Sequence, residues 1–451
     1  MSRPTWETAR DSEVESSRDS APVPGVLVVW SDRAPRLIAL RIPAAGLVLG
    51  RETLADAHDE RMSRQHARVS WAGEQVRVAD LGSRNGTHVG GRQIASIEVA
   101  APAPVVVRVG RTVAVAVDDV RAFEGATVTT GDGVVGPTLR AAWSAVERAA
   151  RGGRSLLVTG ESGVGKELAA RAFHRASGVS GELVAVNCAA IPAGLAERLL
   201  FGTRKGAYSG ADRDADGYLA AADGGTLFLD EVAELDLDVQ AKLLRVLETG
   251  ELLALGAARP RAVQLRVVAA TLRDLRGAVA AGRFRDDLYY RIGRPEVRLP
   301  PLRERLEEIP WLVAEAIASR GLPAHPSLIE ACLLRPWPGN VRELIAEAAR
   351  AAHAAFEGDR PAVRAEDLDE QAGRAHVASA AAEAAEPARP RSVGLPDDDT
   401  ILAALKAEGG NVSRAARRLG VHRNQLRRYL SKHPAAAALA GGEAGDELSD
   451  D

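Results

Sequence analysis

The octapeptide Gly160-Glu161-Ser162-Gly163-Val164-Gly165-Lys166-Glu167 constrains this chain more than any other stretch. It follows the apolar run Leu156-Leu157-Val158 and opens a helix-compatible segment from Leu168 to Arg175, which is the context a phosphate-binding loop needs. Its glycines let the backbone curl until several N–H groups face one phosphate chain. The following helix N-terminus adds its positive dipole end, and Lys166 neutralises the outer phosphates. ATP or GTP is the expected ligand. Lysine occurs only at positions 166, 205, 242, 406 and 432, so a fortuitous Gly-Lys pair at this offset carries little weight. Glu167 departs from the general pattern, because a Ser or Thr hydroxyl normally stands there to reach Mg2+. The metal then leans on a second motif, Thr226-Leu227-Phe228-Leu229-Asp230-Glu231, where an apolar strand ends in two carboxylates at the edge where nucleotide sits. Asp230 is expected to hold the magnesium shell and Glu231 to polarise the attacking water, since phosphoryl transfer is mainly positioning and charge stabilisation.

The surroundings of these motifs indicate a multidomain chain. Its 451 residues suggest about three domains, and 46% hydrophobic with 26% charged residues is ordinary globular composition. Two cysteines, Cys188 and Cys332, cannot build a disulfide framework. The polar, acidic start lacks the apolar core of a signal peptide, and no apolar stretch is long enough to span a bilayer. A cytoplasmic protein without a membrane partner is expected. Residues 1–24 read as a disordered leader. Residues 25–122, with short Val, Leu and Ile runs between Gly, Asp and Asn turns, read as an all-β domain. After a linker at 123–133, residues 134–372 alternate strand-like and helical patterns, the signature of a parallel α/β sheet. A second linker, 373–397, leads to an all-α basic element at 398–433 and a flexible tail at 434–451. The net charge of −3 averages over regions of different sign.

Several further motifs, in order, carry a family resemblance. Gly160 to Glu167, Asn187-Cys188-Ala189-Ala190, Gly206-Ala207-Tyr208-Ser209-Gly210-Ala211, Gly224 to Glu231 and Trp337-Pro338-Gly339-Asn340-Val341-Arg342-Glu343-Leu344 resemble the sigma-54 activator ATPases, a branch of the AAA+ ATPases. The resemblance covers nearly all of residues 134–350 and implies an α/β P-loop ATPase with a helical lid. It makes Glu167 normal. It further implies that Asn187 senses nucleotide and restrains Glu231, and that Arg342 is the sensor on the lid. Arg285 and Arg291 would be arginine fingers acting across a subunit boundary, hence in a homo-oligomeric ring, typically a hexamer. Gly206 to Ala211 would be the loop that grips sigma-54 RNA polymerase; Tyr208 and Ser209 replace the usual Phe and Thr. Leu199, Thr203, Arg204, Ala220 and Leu272 also depart from the family pattern, which bears on the relay from phosphate to loop.

Two flanking modules complete the reading. Leu49-Gly50-Arg51-Glu52, Met62-Ser63-Arg64-Gln65-His66-Ala67 and Asp80-Leu81-Gly82-Ser83-Arg84-Asn85-Gly86-Thr87 resemble the forkhead-associated (FHA) domain, a β-sandwich that binds phosphothreonine peptides. Arg51 and Arg64 offer charge-assisted donors to phosphate, Ser63 a hydroxyl, and Asn85 an amide for the peptide backbone. At the other end, Gly409-Gly410-Asn411-Val412-Ser413 precedes two helical stretches separated by Gly420, which is helix-turn-helix spacing. Eight basic residues face one acid between Thr400 and His433. Leu419, Val421, Leu426 and Leu430 fall at core spacing, which leaves Arg423, Asn424, Gln425, Arg427 and Arg428 for a major groove. This element resembles the Fis-type DNA-binding helix pair. The composite expectation is an ATP-dependent transcriptional regulator that binds an upstream DNA site and remodels sigma-54 polymerase. A phosphothreonine protein, linked to a Ser/Thr kinase, would supply input. The alternative is a DNA-bound, phosphothreonine-reading repressor or scaffold whose ATPase controls assembly without engaging sigma-54.

Overall fold

A computed structural model describes residues 21–433 except 56–58, 101–103, 193, 208–211, 375–397, 420, 422 and 432, and omits the side chains of 423–425 and 428. The chain divides into two compact units that part at residues 375–376.

In the first unit, among the described residues, the amino-terminal strands are β1 (Gly25–Ser31), β2 (Ala34–Arg41), β3 (Leu47–Leu49), β4 (Ala67–Ala72), β5 (Gln75–Asp80), β6 (Thr87–Val89), β7 (Arg92–Ile94), β8 (Ser96–Ala100), β9 (Val105–Val109) and β10 (Thr112–Val117). They form two antiparallel sheets, ordered β2-β1-β10-β9-β6-β7 and β3-β4-β5-β8. β5 alternates exposed and buried residues, as a sheet with one wet face should. By contrast, all seven residues of β1 are buried. Val26 and Val28 face the sandwich interior with Ala114 and Ala116. Leu27 and Val29 face the other way with Val106, Val113 and Val115. The β1 apolar run is therefore a strand covered on both sides.

The α/β region follows as α1 (Pro137–Gly152), β11 (Ser155–Thr159), α2 (Lys166–Ser177), β12 (Leu183–Asn187), α3 (Ala196–Phe201), α4 (Tyr218–Ala221), β13 (Thr226–Asp230), α5 (Leu237–Thr249), the short pair β14 (Glu251–Leu252) and β15 (Arg261–Ala262), β16 (Arg266–Thr271), α6 (Leu275–Ala280), α7 (Asp286–Ile292) and β17 (Glu296–Arg298). The main sheet has the order β12-β13-β16-β11-β17, and its strands pair in parallel. Leu156 and Val158 of β11 pack on one face, Leu157 on the other, the continuous burial expected of a doubly covered parallel strand. This order puts the carboxyl ends of β11 and β13 on one edge, where α/β sheets hold ligands.

A helical subdomain follows: α8 (Ile309–Ile317), α9 (Pro326–Leu333) and α10 (Asn340–Glu357). Its core contains Ile309, Leu312, Leu328, Ile329, Trp337 and Leu344, and the outward residues of β1, β9 and β10 belong to that same cluster. α9 lies against β1, β9 and β10, and α8 against β2. The sandwich is thus packed on the lid. Each fully buried Val or Leu contributes roughly 1.5–3 kcal/mol relative to exposure, so this contact is a substantial part of the unit's stability.

The second unit consists of α11 (Asp398–Ala407), α12 (Val412–Leu419) and α13 (Arg423–Leu430). Ile401, Leu405, Ala415, Ala416, Val421, Leu426 and Leu430 form its core. Asn411 caps α12 by accepting from the N–H groups of Ser413 and Arg414 at 3.1 and 3.0 Å.

Candidate nucleotide site and its flanking modules

The phosphate loop joins β11 to α2. Gly160, Gly163 and Gly165 all have positive φ, at 154°, 76° and 108°, a backbone that side chains oppose. Gly165 precedes Lys166 at the start of α2 and no side chain caps that end, which leaves the first N–H groups of the helix for an anion. A Cβ at Gly165 would meet only Leu168, at 3.9 Å. The cradle therefore fits a phosphate chain.

The Lys166 ammonium, 8% exposed, donates to the Gly160 carbonyl and to Glu231 Oε1, both at 3.1 Å. Glu231 has φ 51°, a strained setting for a residue other than glycine, and its Oε2 accepts from the Leu272 N–H at 3.1 Å. Burial pushes the Asp230 carboxyl above its ordinary value; Lys166 opposes this and Glu231 adds to it. Burial, reinforced by the Asp230 and Glu231 charges, drives the Cys188 thiol up to about 12, so it is no nucleophile.

A cavity of about 560 Å³ opens beside these groups. Gly163, Gly165, Lys166, Asn187, Asp230, Glu231 and Arg342 line it together with the apolar Val134, Leu139, Trp143, Leu312 and Ile345. The polar residues suit phosphates, with Asp230 available to a metal, and the apolar residues suit a base. Glu167 lines the same cavity and accepts from Arg171 at 2.7 Å.

Of the other candidate residues, Asn187 lines the cavity whereas Arg285, Arg291, Gly206 and Ala207 do not. Asn187 Oδ1 accepts from the Ala189 N–H at 3.0 Å, while Glu231 is held by Lys166 and the Leu272 backbone. Arg285 forms a two-pronged pair with Asp287 at 3.0 and 2.7 Å, and Arg291 donates to the Leu247 carbonyl at 2.6 Å. Neither arginine lines the cavity of its own chain. Gly206 and Ala207 follow a pinned base, where Thr203 and Ala215 exchange backbone hydrogen bonds at 2.8 and 2.9 Å and Arg204 pairs with Asp214 at 2.8 Å. Tyr208, Ser209, Gly210 and Ala211 lie outside the described residues.

Sequence reasoning missed the residues that seat the lid. Asn340, fully buried, donates to Glu161 Oε2 and the Ser162 carbonyl, both at 3.0 Å, and accepts from the Leu302 N–H at 2.8 Å. Arg303 grips Glu161 at 2.9 and 2.7 Å; that pairing, set against partial burial, holds the Glu161 carboxyl below its usual range. Buried Arg305 joins Glu308 at 2.8 Å and the Val164 carbonyl at 3.2 Å. Arg342 then reaches Ser162 Oγ at 3.2 Å. Asn340 stood within a quoted motif, two positions before Arg342, but Arg305 carried no signal of its own.

In the sandwich, Arg51, Arg64 and Asn85 are exposed. Asn85 Nδ2 donates to the Arg61 carbonyl at 2.6 Å, and Ser63 Oγ accepts from the Arg84 N–H at 3.2 Å. His66 is buried and bridges the Ser63 N–H and the Gly86 carbonyl, both at 3.1 Å. Asp80 accepts from Gly82, Ser83 and Thr87 and so fixes the loop bearing Asn85. In the second unit, Arg423, Asn424, Gln425, Arg427 and Arg428 all fall on α13, with Arg427 exposed and the other four side chains outside the description.

Comparison with known proteins adds an independent line. Residues 135–298 match the sigma-54 interaction domain, residues 398–433 the Fis family of bacterial regulatory proteins, and residues 46–114 the FHA domain. The chain is 44% identical over 294 residues to the hydrogenase transcriptional regulatory protein HoxA of Bradyrhizobium diazoefficiens, covering 62% of this chain and 59% of that one. It is 39% identical over 310 residues to the transcriptional regulatory protein ZraR of Klebsiella oxytoca, covering 66% of this chain and 69% of that one. NtrX from Brucella abortus, solved in complex with ATP, aligns at 32% identity over 65% of this chain and 66% of that one, with a TM-score of 0.47. The chain spans 59% and 58% of the length of the first two curated relatives it matches. With the phosphate loop, the Asp230-Glu231 strand end and the lid arginine gathered at one cleft, the chain belongs to the sigma-54 activator family, with an FHA domain before its AAA+ region and a Fis-type helix-turn-helix after it.

Proposed function

We propose that this protein is an ATP-dependent transcriptional regulator of the cytoplasm. It binds an upstream DNA site through α13 and uses ATP hydrolysis to remodel sigma-54 RNA polymerase. The observation that carries the reading is the convergence of Lys166, Asp230, Glu231 and Arg342 on one cavity in a chain with sigma-54 interaction and Fis-type regions.

The residues divide the work. The loop backbone and Lys166 bind the phosphates; to do so Lys166 exchanges its bond to Glu231 for phosphate oxygen. Glu231, once freed, is the group that orients and deprotonates water. Asp230, raised by burial, is the residue that would hold Mg2+, which when bound would neutralise charge on the transferring phosphoryl group. Arg342 carries the phosphate state to the lid. Arg285 and Arg291, exposed and outside their own cavity, suit a neighbour's site in a ring, the hexameric arrangement in which a guanidinium supplied in trans stabilises transition-state charge.

Arg51, Ser63, Arg64 and Asn85 are proposed to hold a phosphothreonine peptide and couple the regulator to a Ser/Thr kinase. The deciding experiment is in vitro transcription from a sigma-54 promoter, with and without ATP. ATP-dependent open complexes are expected. Intact ATPase with no ATP-dependent open complex would favour the repressor or scaffold.

A further inference from the structure

We propose that the FHA sandwich is a brace on the nucleotide site: packed on the lid through a core that shares residues with the cavity lining, it sets how firmly the lid closes on the phosphate loop. The proposal rests on the cavity being a nucleotide site.

Three observations carry it. An antiparallel sandwich commonly keeps one sheet face wet, yet here the outward face of β1, β9 and β10 is apolar and buried in the same core as α8 and α9. None of the phosphopeptide candidates Arg51, Ser63, Arg64 and Asn85 belongs to that core, so the surface is distinct from the peptide site.

Within this apolar contact sits a specific polar one. Glu330 of α9, 2% exposed, accepts from Arg108 Nε at 2.6 Å and from the Gly91 N–H at 2.8 Å. Both of its oxygens are thus taken by the sandwich. A buried carboxylate is costly without partners, so this pairing fixes one register of sandwich on lid.

The contact also reaches the cavity. Leu312 of α8 and Val134 of the connecting segment belong to the shared core and line the nucleotide cavity as well. On its far side the lid touches the phosphate loop through the Val341 N–H, which donates to the Gly163 carbonyl at 3.1 Å, and through Asn340 and Arg342. The lid is therefore held at both ends, by the loop through α10 and by the sandwich through α8 and α9. Loosening the second hold weakens the first, because both bias one rigid element.

The test measures binding of a fluorescent, non-hydrolysable ATP analogue to the full chain. Arg108→Met strands the Glu330 charge and is expected to weaken binding about 10-fold, within the usual range for coupled sites. The double variant Arg108→Met/Glu330→Met removes the stranded charge and is expected to recover most of that loss. A folded Arg108→Met chain that binds like wild type overturns the proposal. If that variant does not fold, hydrogen exchange of the wild-type chain decides. The analogue is expected to slow exchange across residues 105–117 as well as 160–168, and slowing confined to 160–168 overturns the brace. A wild-type chain that binds no analogue refutes the nucleotide reading itself, and the brace with it.

Discussion

Replacing Gly163 by alanine isolates the contact between phosphate loop and lid. Gly163 has φ +76°, and a Cβ there would lie 2.2 Å from the Gly339 carbonyl oxygen and 3.1 Å from Arg342 Cβ. The obstructing atom is backbone and cannot swing aside, and the Val341 N–H and the Asn340 amide tie that backbone to the loop. Relief to an ordinary contact requires about 1 Å of separation between the first turn of α10 and the loop. Such a shift takes Arg342 off Ser162 Oγ, now at 3.2 Å, and a misplacement of about 1 Å costs on the order of 100-fold in rate. Gly178 supplies the control. It ends α2 with φ +65°, and a Cβ there meets nothing within 4 Å. Both alanine variants therefore suffer left-handed backbone strain of about 1–2 kcal/mol, but only Gly163→Ala moves the lid. Steady-state ATP turnover and thermal unfolding of the two full-length variants make the comparison. Gly178→Ala is expected to lose stability with turnover intact, and Gly163→Ala to lose more stability, because the lid contacts loosen too, together with a roughly 100-fold loss of turnover. Equal turnover in the two variants would refute the idea that this contact positions Arg342.

Three other perturbations probe separate parts of the molecule. Glu231→Gln keeps an acceptor for Lys166 or the Leu272 N–H, so ATP binding by titration is expected to persist while turnover drops at least about 100-fold; parallel loss of both would remove Glu231 from the base role. Among the described residues, Arg291→Ala gives up a hydrogen bond to the Leu247 carbonyl of its own chain. Affinity at low concentration should hold, and the rise of turnover with protein concentration should disappear, by about 1,000-fold at saturation; a variant that tracks the wild-type curve contradicts a role in trans. Asp80 is the pH-dependent case. Partial burial pushes its carboxyl up, but the hydroxyls of Ser83 and Thr87 and the N–H groups of Ser83 and Gly82 outweigh this and bring it from 3.8 to about 2. Because the folded value lies below the unfolded one, the stabilisation is present above about pH 4 and lost as pH falls toward 2. Asp80→Asn should cost about 2 kcal/mol at neutral pH, with the gap to wild type closing over that window in urea unfolding; a gap independent of pH refutes it.

The parts of the site that were legible in the sequence are those in which one short run does the chemistry. Gly160 to Lys166 must be contiguous to wrap a phosphate, and an apolar run ending in Asp230-Glu231 reads as a strand end wherever it occurs. The layered architecture was legible for the same reason, since strand and helix periodicities are local. What escaped was set by contacts distant in sequence. The unbroken apolar texture of Val26 to Trp30 was visible, yet its meaning, a strand covered on both faces, depends on α9 some 300 residues away. Asn187 lines the cavity with Glu231 and accepts from the Ala189 N–H, while the contacts of Glu231 with Lys166 and the N–H of Leu272 join segments far apart in sequence. The backbone makes the second contact whatever side chain residue 272 carries. Arg305 looks like one more charge in an arginine-rich segment, and only burial beneath the phosphate loop distinguishes it.

The proposed function depends on triphosphate cleavage in the cavity lined by Lys166, Asp230 and Glu231. Its most direct test is phosphate release from ATP by the full chain, followed over a range of protein concentrations beside Lys166→Ala. Turnover that rises as chains associate, and a variant that neither binds nor cleaves ATP, are the predicted results. Wild-type turnover by Lys166→Ala, or none by the wild-type chain at any concentration, contradicts it.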